Sequence, residues 1–179
     1  MRLEYALDSN DYLQFQLYNS SINPRYKKTR RKNWIILFTS AFLLAIVLFN
    51  NSDKFLSYYF IGIGVLIIFG YPDYAKSQRK KHFEKYVGET YKSDFSETSI
   101  VILNDEFIET YDKTGTSKIN ITELEKIYET SEYFFLKLKF GSTLIIPKSK
   151  IDVIVARERL VEIANQVKAQ FIQDLNWRW

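Results

Sequence analysis

The single histidine, His82, stands in "SQRKKHFEKY" among basic residues, with no second imidazole or thiol to complete a metal site. Cysteine is absent, which excludes disulfides and thiolate nucleophiles and is compatible with a reducing compartment. Carboxylates gather once, in "NDEFIETYD", where Asp105, Glu106, Glu109 and Asp112 have the oxygen chemistry of a divalent-cation site. Strand alternation instead places them largely on a solvated face, which is the expectation taken here. "IGIG" (Ile61–Gly64) has the glycine spacing of a nucleotide loop but lacks a preceding strand and a lysine. No GxSxG elbow, HExxH pair or phosphate-binding loop occurs. The chain is therefore expected to be no enzyme, with no catalytic residue, cofactor or metal ligand.

The remaining chemistry is positive charge, and it is concentrated. Residues 1–33 carry 7 basic and 3 acidic side chains, residues 72–88 carry 5 and 2, and residues 89–179 carry 12 and 15. Between the first two blocks, residues 34–71 hold only Asp53 and Lys54. The pI of about 9.0 thus comes from two flanks: Arg25, Lys27, Lys28, Arg30, Arg31 and Lys32 before the uncharged block, and Lys76, Arg79, Lys80, Lys81 and Lys85 after it. A nucleic-acid binder spreads such charge over a folded face, so no nucleic-acid partner is expected. Lysines and arginines that abut apolar runs fit an anionic lipid surface, to which each contributes about 1 kcal/mol before salt screening.

Those runs must position the flanks. "WIILFTSAFLLAIVLF" (34–49) and "FLSYYFIGIGVLIIFGY" (55–71) contain no charge, and "NNSDK" (Asn50–Lys54) joins them. Sixteen helical residues span only about 24 Å, short of a ~30 Å hydrocarbon core. Composition offsets the shortfall. Eleven Leu, Ile, Phe and Val residues in the first run favour insertion by at most roughly 3–7 kcal/mol. Eleven flanking basic residues against Lys54 alone in the connection make a positive-inside asymmetry. Trp34, Tyr71 and Tyr74 at the basic end, and Tyr58 and Tyr59 near the turn, stand where interface anchors belong. A transmembrane helical hairpin is expected, its tip exterior and both termini cytoplasmic, with no signal peptide ahead of it. Ala41 and Ala45, with Gly62 and Gly64, are small residues that let the two helices approach, or that line a homo-oligomer seam. No row of polar residues lines either run, which argues against a pore.

Outside the runs, "MRLEYAL" alternates as a strand, and "DSNDYLQFQLY" reads as a capped amphipathic helix, interrupted by Pro24, that rests at the membrane surface or on the distal domain. Period-two segments at 89–95, 99–103, 106–111, 116–121, 125–129, 133–140 and 142–146 predict strands, with "DKTG" and "FGST" as turns. From Pro147 to Phe171 the spacing of Ile151, Ile154, Leu160, Ile163, Ala164, Val167 and Phe171 predicts one long helix. Lys148 and Lys150 are either further headgroup contacts or polar residues at its start. Trp177 and Trp179 pack on the domain or seek the interface. The expected class is an α+β membrane protein. A two-helix hairpin is joined to a small antiparallel β-barrel or sandwich, pleckstrin-homology-like, capped by a C-terminal helix. Its parts are 1–33 (strand, amphipathic helix and basic flank), 34–71 (hairpin), 72–88 (basic linker) and 89–179 (cytoplasmic domain).

The order "DYLQFQLY", basic run, apolar hairpin, basic run, "INITELEKIYETSEYFFLKL" and "LIIPKSKI" resembles the YcxB-like family of small bacterial membrane proteins. The resemblance implies two membrane helices and a cytoplasmic pleckstrin-homology-like domain, and it implies no reaction. The expected role is non-enzymatic: a cell-membrane protein that presents this domain to an unknown protein or to a lipid partner, with the bilayer itself as its first partner. The alternative is an oligomerising hairpin with a transport, channel or lysis role, regulated by the domain.

Overall fold

β1 (Arg2–Ala6) alternates as its sequence dictates, with Leu3 and Tyr5 buried and Arg2 and Glu4 exposed. It pairs antiparallel with β2 (Thr98–Leu103), Leu3 opposite Val101, although the whole apolar block lies between them in the sequence. β3 (Phe107–Asp112) and β4 (Gly115–Asn120) continue this sheet as a meander in the order β1-β2-β3-β4. The structure, a computed structural model, describes residues 1–50, 54–92, 95, 97–113 and 115–179, with the side chain of Arg30 outside the description. The tip residues Asn51–Asp53, two positions of the 89–95 segment and one of "DKTG" also fall outside the described residues.

A second sheet contains β5 (Leu124–Glu129), β6 (Tyr133–Leu138), β7 (Thr143–Pro147) and β8 (Gln170–Gln173), in the order β7-β6-β5-β8. β8 runs parallel to β5, with Phe171 opposite Ile127, so this sheet is mixed. α4 (Val153–Val167) starts where Asp152 accepts the Ile154 and Val155 amides, at 3.1 and 3.2 Å. Its apolar stripe, Ala156, Leu160, Ile163 and Ala164, enters a core shared with Leu103, Ile108, Ile127, Phe134 and Leu136. Together, Met1–Phe15 and Val87–Trp179 form one unit.

The other unit, Gln16–Tyr86, is helical. α1 (Ser9–Ile22) leads into it, and Asn23 then caps α2 (Pro24–Asn50) by accepting the Arg25 amide at 3.0 Å. Pro24 occupies the first helical position, where its missing N–H costs nothing. α3 (Lys54–Thr90) follows and contains Pro72. At 1.5 Å per residue α2 is about 40 Å long and α3 about 55 Å, so the short apolar runs are stretches of longer helices. Both are long and apolar enough to cross a membrane.

The class is α+β, with two long apolar helices and two sheets, and several expectations need correction. The sheets do not join into a closed barrel among the described residues. The strand expected at 89–95 starts instead as the end of α3, because the basic 72–88 segment is helical and carries the helix on to Thr90. The segment expected as a linker is thus part of α3. The domain expected at 89–179 lacks its first strand, which Met1–Ala6 supplies. The long C-terminal helix stops at Val167, since Lys168 turns left-handed (φ 56°) and donates its N–H back to the last turn. Phe171 therefore lies on a strand.

Candidate functional site

The hairpin's facing surfaces follow helical spacing. Trp34, Phe38, Ala41, Ala45 and Leu48 form the more buried row of α2, and Ser57, Gly64, Tyr71, Ala75, Arg79 and Phe83 lie along that of α3. Ala41 and Ala45 are 5% and 3% exposed. Ser57 Oγ donates to the Ala45 carbonyl at 2.8 Å, and a Cβ on Gly64 would sit 3.9 Å from the Phe38 ring. Small side chains thus let the two helices come close. Gly62 is the exception among the four expected packing residues: it is exposed, with nothing within 4 Å of a Cβ placed there. Away from this seam the surface is apolar and open, with Phe55, Phe69 and Leu66 at 84%, 75% and 72% exposure.

Tyr58 and Tyr59 are exposed, whereas Tyr71 and Trp34 are half-buried. The Trp34 indole N–H is shielded and meets no acceptor among the described residues. Of the basic flanks, Arg25, Lys27, Lys28, Arg31, Lys32, Lys76, Lys80, Lys81 and Lys85 are exposed, and Arg79 is half-buried with its guanidinium 5.5 Å from the centre of the Tyr26 ring. Lys80 also approaches Glu84 one turn on, at 3.9 Å.

Two polar centres in the sheet unit were not legible in the sequence. The first surrounds Asp11. Asp8 caps α1 by accepting the Asn10 and Asp11 amides at 2.8 and 2.9 Å, while the Asp8 amide donates to Asp11 Oδ2 at 2.9 Å. This reciprocal cap fixes Asp11, which is 4% exposed, so that it accepts from Tyr133 Oη at 2.9 Å and Lys150 Nζ at 2.7 Å. Lys150 also donates to the Ala6 carbonyl at 2.6 Å. Aromatic contacts set the start of α1 on the unit: Tyr12 stacks on Tyr91 at 4.3 Å and Phe15 meets Phe135 at 5.7 Å. Burial pushes the Tyr133 phenol well up from its ordinary range, and the Asp11 carboxylate beside it pushes the same way. Burial does the same to Tyr5, whose hydroxyl donates to the Ile145 carbonyl at 2.8 Å.

The second centre surrounds Glu129, which is 3% exposed. Lys148 Nζ donates to it at 2.9 Å, Arg157 Nε at 3.2 Å and Gln173 Nε2 at 3.0 Å. Lys148 also lies 4.6 Å from the centre of the Phe134 ring. Burial would raise the carboxyl, but hydrogen bonds from Lys148, Gln173 and Arg157 outweigh it and hold Glu129 below the usual range. Lys148 and Lys150 are thus engaged by carboxylates of the fold rather than held out as headgroup contacts. Each ties the short turn after β7 to a different element.

The carboxylates of "NDEFIETYD" also separate. Asp105 accepts from Arg159 at 2.6 Å and Glu109 pairs with Lys118 at 3.3 Å. No group able to hold a metal occurs among the described residues.

Neither the curated proteins nor the solved structures contain a match to this chain. One family does match, over the segment that holds Glu129, Tyr133, Lys148 and Lys150: residues 103–156 are similar to the YcxB-like proteins.

Proposed function

We propose that residues 34–71 form a membrane-spanning hairpin, and that the two-sheet unit is a non-enzymatic, pleckstrin-homology-like interaction module held at the cytoplasmic leaflet for a protein or lipid partner. The observation that carries this reading is the exposed surface of α2 and α3. Only 11% of each apolar window is buried, whereas a core helix would bury most of it. Phe55, Phe69, Leu66 and Leu43 lie outward along two long helices, a far larger apolar face than a water-exposed surface of a few hundred Å² sustains. Lipid acyl chains satisfy that face.

Pairing of β1 with β2 supports two crossings independently of charge. The strands flank the hairpin in sequence and share five paired positions, so both must lie on one side of any membrane the hairpin enters. The basic flanks favour the cytoplasm as that side. Within the sheet unit, the buried carboxylates of Asp11 and Glu129 are paired with Lys150 and Lys148, which commits these charges to holding the fold.

The test exchanges residues 34–71 for an unrelated membrane hairpin of equal length, with both flanks kept, and compares crosslinked partners captured from native membranes. The same partner set is expected. Its loss, with abundance and orientation intact, would refute the module reading in favour of an oligomerising hairpin. Orientation is read from Asn50→Cys and Lys113→Cys in this cysteine-free chain. Only the first is expected to react with an impermeant thiol reagent in intact cells.

A further inference from the structure

At the basic end of the helical unit, α2 and α3 enclose a groove of about 470 Å³, within the ~300–1,000 Å³ range of small-ligand sites. Tyr26, Tyr71, Tyr74, Gln78, Arg79 and His82 supply its polar groups, and Ala75 and Phe83 line the rest. We propose that this groove binds the phosphate of an anionic glycerophospholipid drawn from the surrounding leaflet. The inference rests on the membrane reading above.

Three features of the groove select that ligand. First, the lining contains donors and no carboxylate: a guanidinium, an amide, an imidazole and three phenols. Such a set favours an oxyanion with several acceptor oxygens, and guanidinium is the side chain whose planar fork matches phosphate. Second, Arg79 lies against the Tyr26 ring, 5.5 Å from its centre, so its side chain is ordered by a contact within the groove itself. Less rotamer entropy then remains to be lost on binding.

Third, the groove sits at the depth of a headgroup. Tyr71 is the last residue of the uncharged run, and helical rise places the Arg79 backbone about 12 Å further along α3. Side chains on a helix lean toward its N-terminus, which on α3 is the apolar end. Arg79 is thus directed back toward the headgroup layer, about 5–8 Å thick on each side of the hydrocarbon. Aromatic walls suit the glycerol and ester region between phosphate and acyl chains. Exposed Lys76 and Lys80 on the same helix add positive potential around the mouth.

The full chain, purified in detergent, is mixed with equal amounts of phosphatidylglycerol and phosphatidylcholine, and retained lipid is read by native mass spectrometry. Phosphatidylglycerol is expected to be retained preferentially. Arg79→Gln should reduce its retention at least about tenfold, the loss of a charge-assisted hydrogen-bond pair. Tyr26→Leu, which keeps the charge and removes the ring that orders it, should give a smaller loss in the same direction. Lys81→Gln removes one charge from the same flank outside the groove, and should cost no more than about fivefold, the ~1 kcal/mol of one surface charge. Equal losses for Arg79→Gln and Lys81→Gln would mean general surface attraction and would overturn the site. Displacement of the lipid by inorganic phosphate alone would also overturn it, in favour of a free-phosphate site. Flotation of the chain with phosphatidylcholine vesicles separates the two levels of inference. Failure to float refutes the membrane reading and the site with it, while flotation without phosphatidylglycerol preference refutes the site alone.

Discussion

Lys148→Met removes the best-buried counter-charge of Glu129 while keeping a side chain of similar length over the Phe134 ring, where sulfur is well tolerated. The side chains of Glu129 and Lys148 are 3% and 10% exposed, so neither is well solvated. Breaking a buried pair from one side costs about 3–5 kcal/mol. The Arg157 side chain, 46% exposed, still reaches Glu129, and Gln173 still donates, so the lower end of that range is expected, about 3 kcal/mol. Against a domain stability of ~5–15 kcal/mol this is a large fraction, and at about 4 °C per kcal/mol it lowers the unit's melting temperature by roughly 12 °C. The double variant Glu129→Leu/Lys148→Met removes both charges and should return to within about 1–2 kcal/mol of the parent. Thermal unfolding of the detergent-solubilised chain, followed by near-UV circular dichroism, gives both values. The pair also has a pH signature. Because the Glu129 carboxyl is held below its unfolded value, its stabilising contribution is present above that value, near pH 4–4.5, and is lost as pH falls through the folded value. That acid-side loss should vanish in the double variant. A Lys148→Met effect under about 0.5 kcal/mol, or additive single and double effects, would refute the reasoning.

Three further outcomes follow from the geometry. Tyr133→Phe removes a hydrogen bond to the buried Asp11 carboxylate and should cost about 1.5–3 kcal/mol in the same unfolding assay. The raised Tyr5 and Tyr133 phenols stay protonated where unfolded phenols ionise, so stability should fall as pH rises above about 10, and Tyr5→Phe/Tyr133→Phe should flatten that limb. In the hairpin, Ser57→Ala should cost only about 0.6 kcal/mol, while Ala45→Phe should force the helices apart, read as loss of crosslinking by a short bis-maleimide between cysteines introduced at Phe38 and Gly64.

Local periodicity carried much of this architecture, and long-range contact carried the rest. The alternation of Leu3 and Tyr5, the six strands from β2 to β7 and the apolar runs were readable because each depends on residues within a few positions of one another. Asp11, Tyr133 and Lys150 meet across separations of 122 and 139 residues, and no spacing rule reports such a meeting. β8 was hidden for a different reason. Ala164, Val167 and Phe171 fit helical spacing, and the break between them falls at Lys168, a residue that rarely adopts the left-handed conformation that marks a helix end. A glycine there would have announced the stop. The groove's phenols and basic residues were each read as belt or flank, and only the antiparallel approach of α2 and α3 brings Tyr26 to Arg79.

The pairing of β1 with β2 also sets a timetable. Arg2 and its partner Ile102 are about 100 residues apart, which at ~5–20 residues per second takes roughly 5–20 s of synthesis to bridge. During that interval the nascent β1 has no sheet to join, and Leu3 and Tyr5 stand open to other chains. Arg2 and Glu4 on the opposite face keep the waiting strand charged, the usual protection of an unpaired edge. Completion of the first sheet therefore waits until the chain has passed through both long helices, α2 and α3, and a chain arrested before β2 would carry an orphaned strand that quality control could recognise.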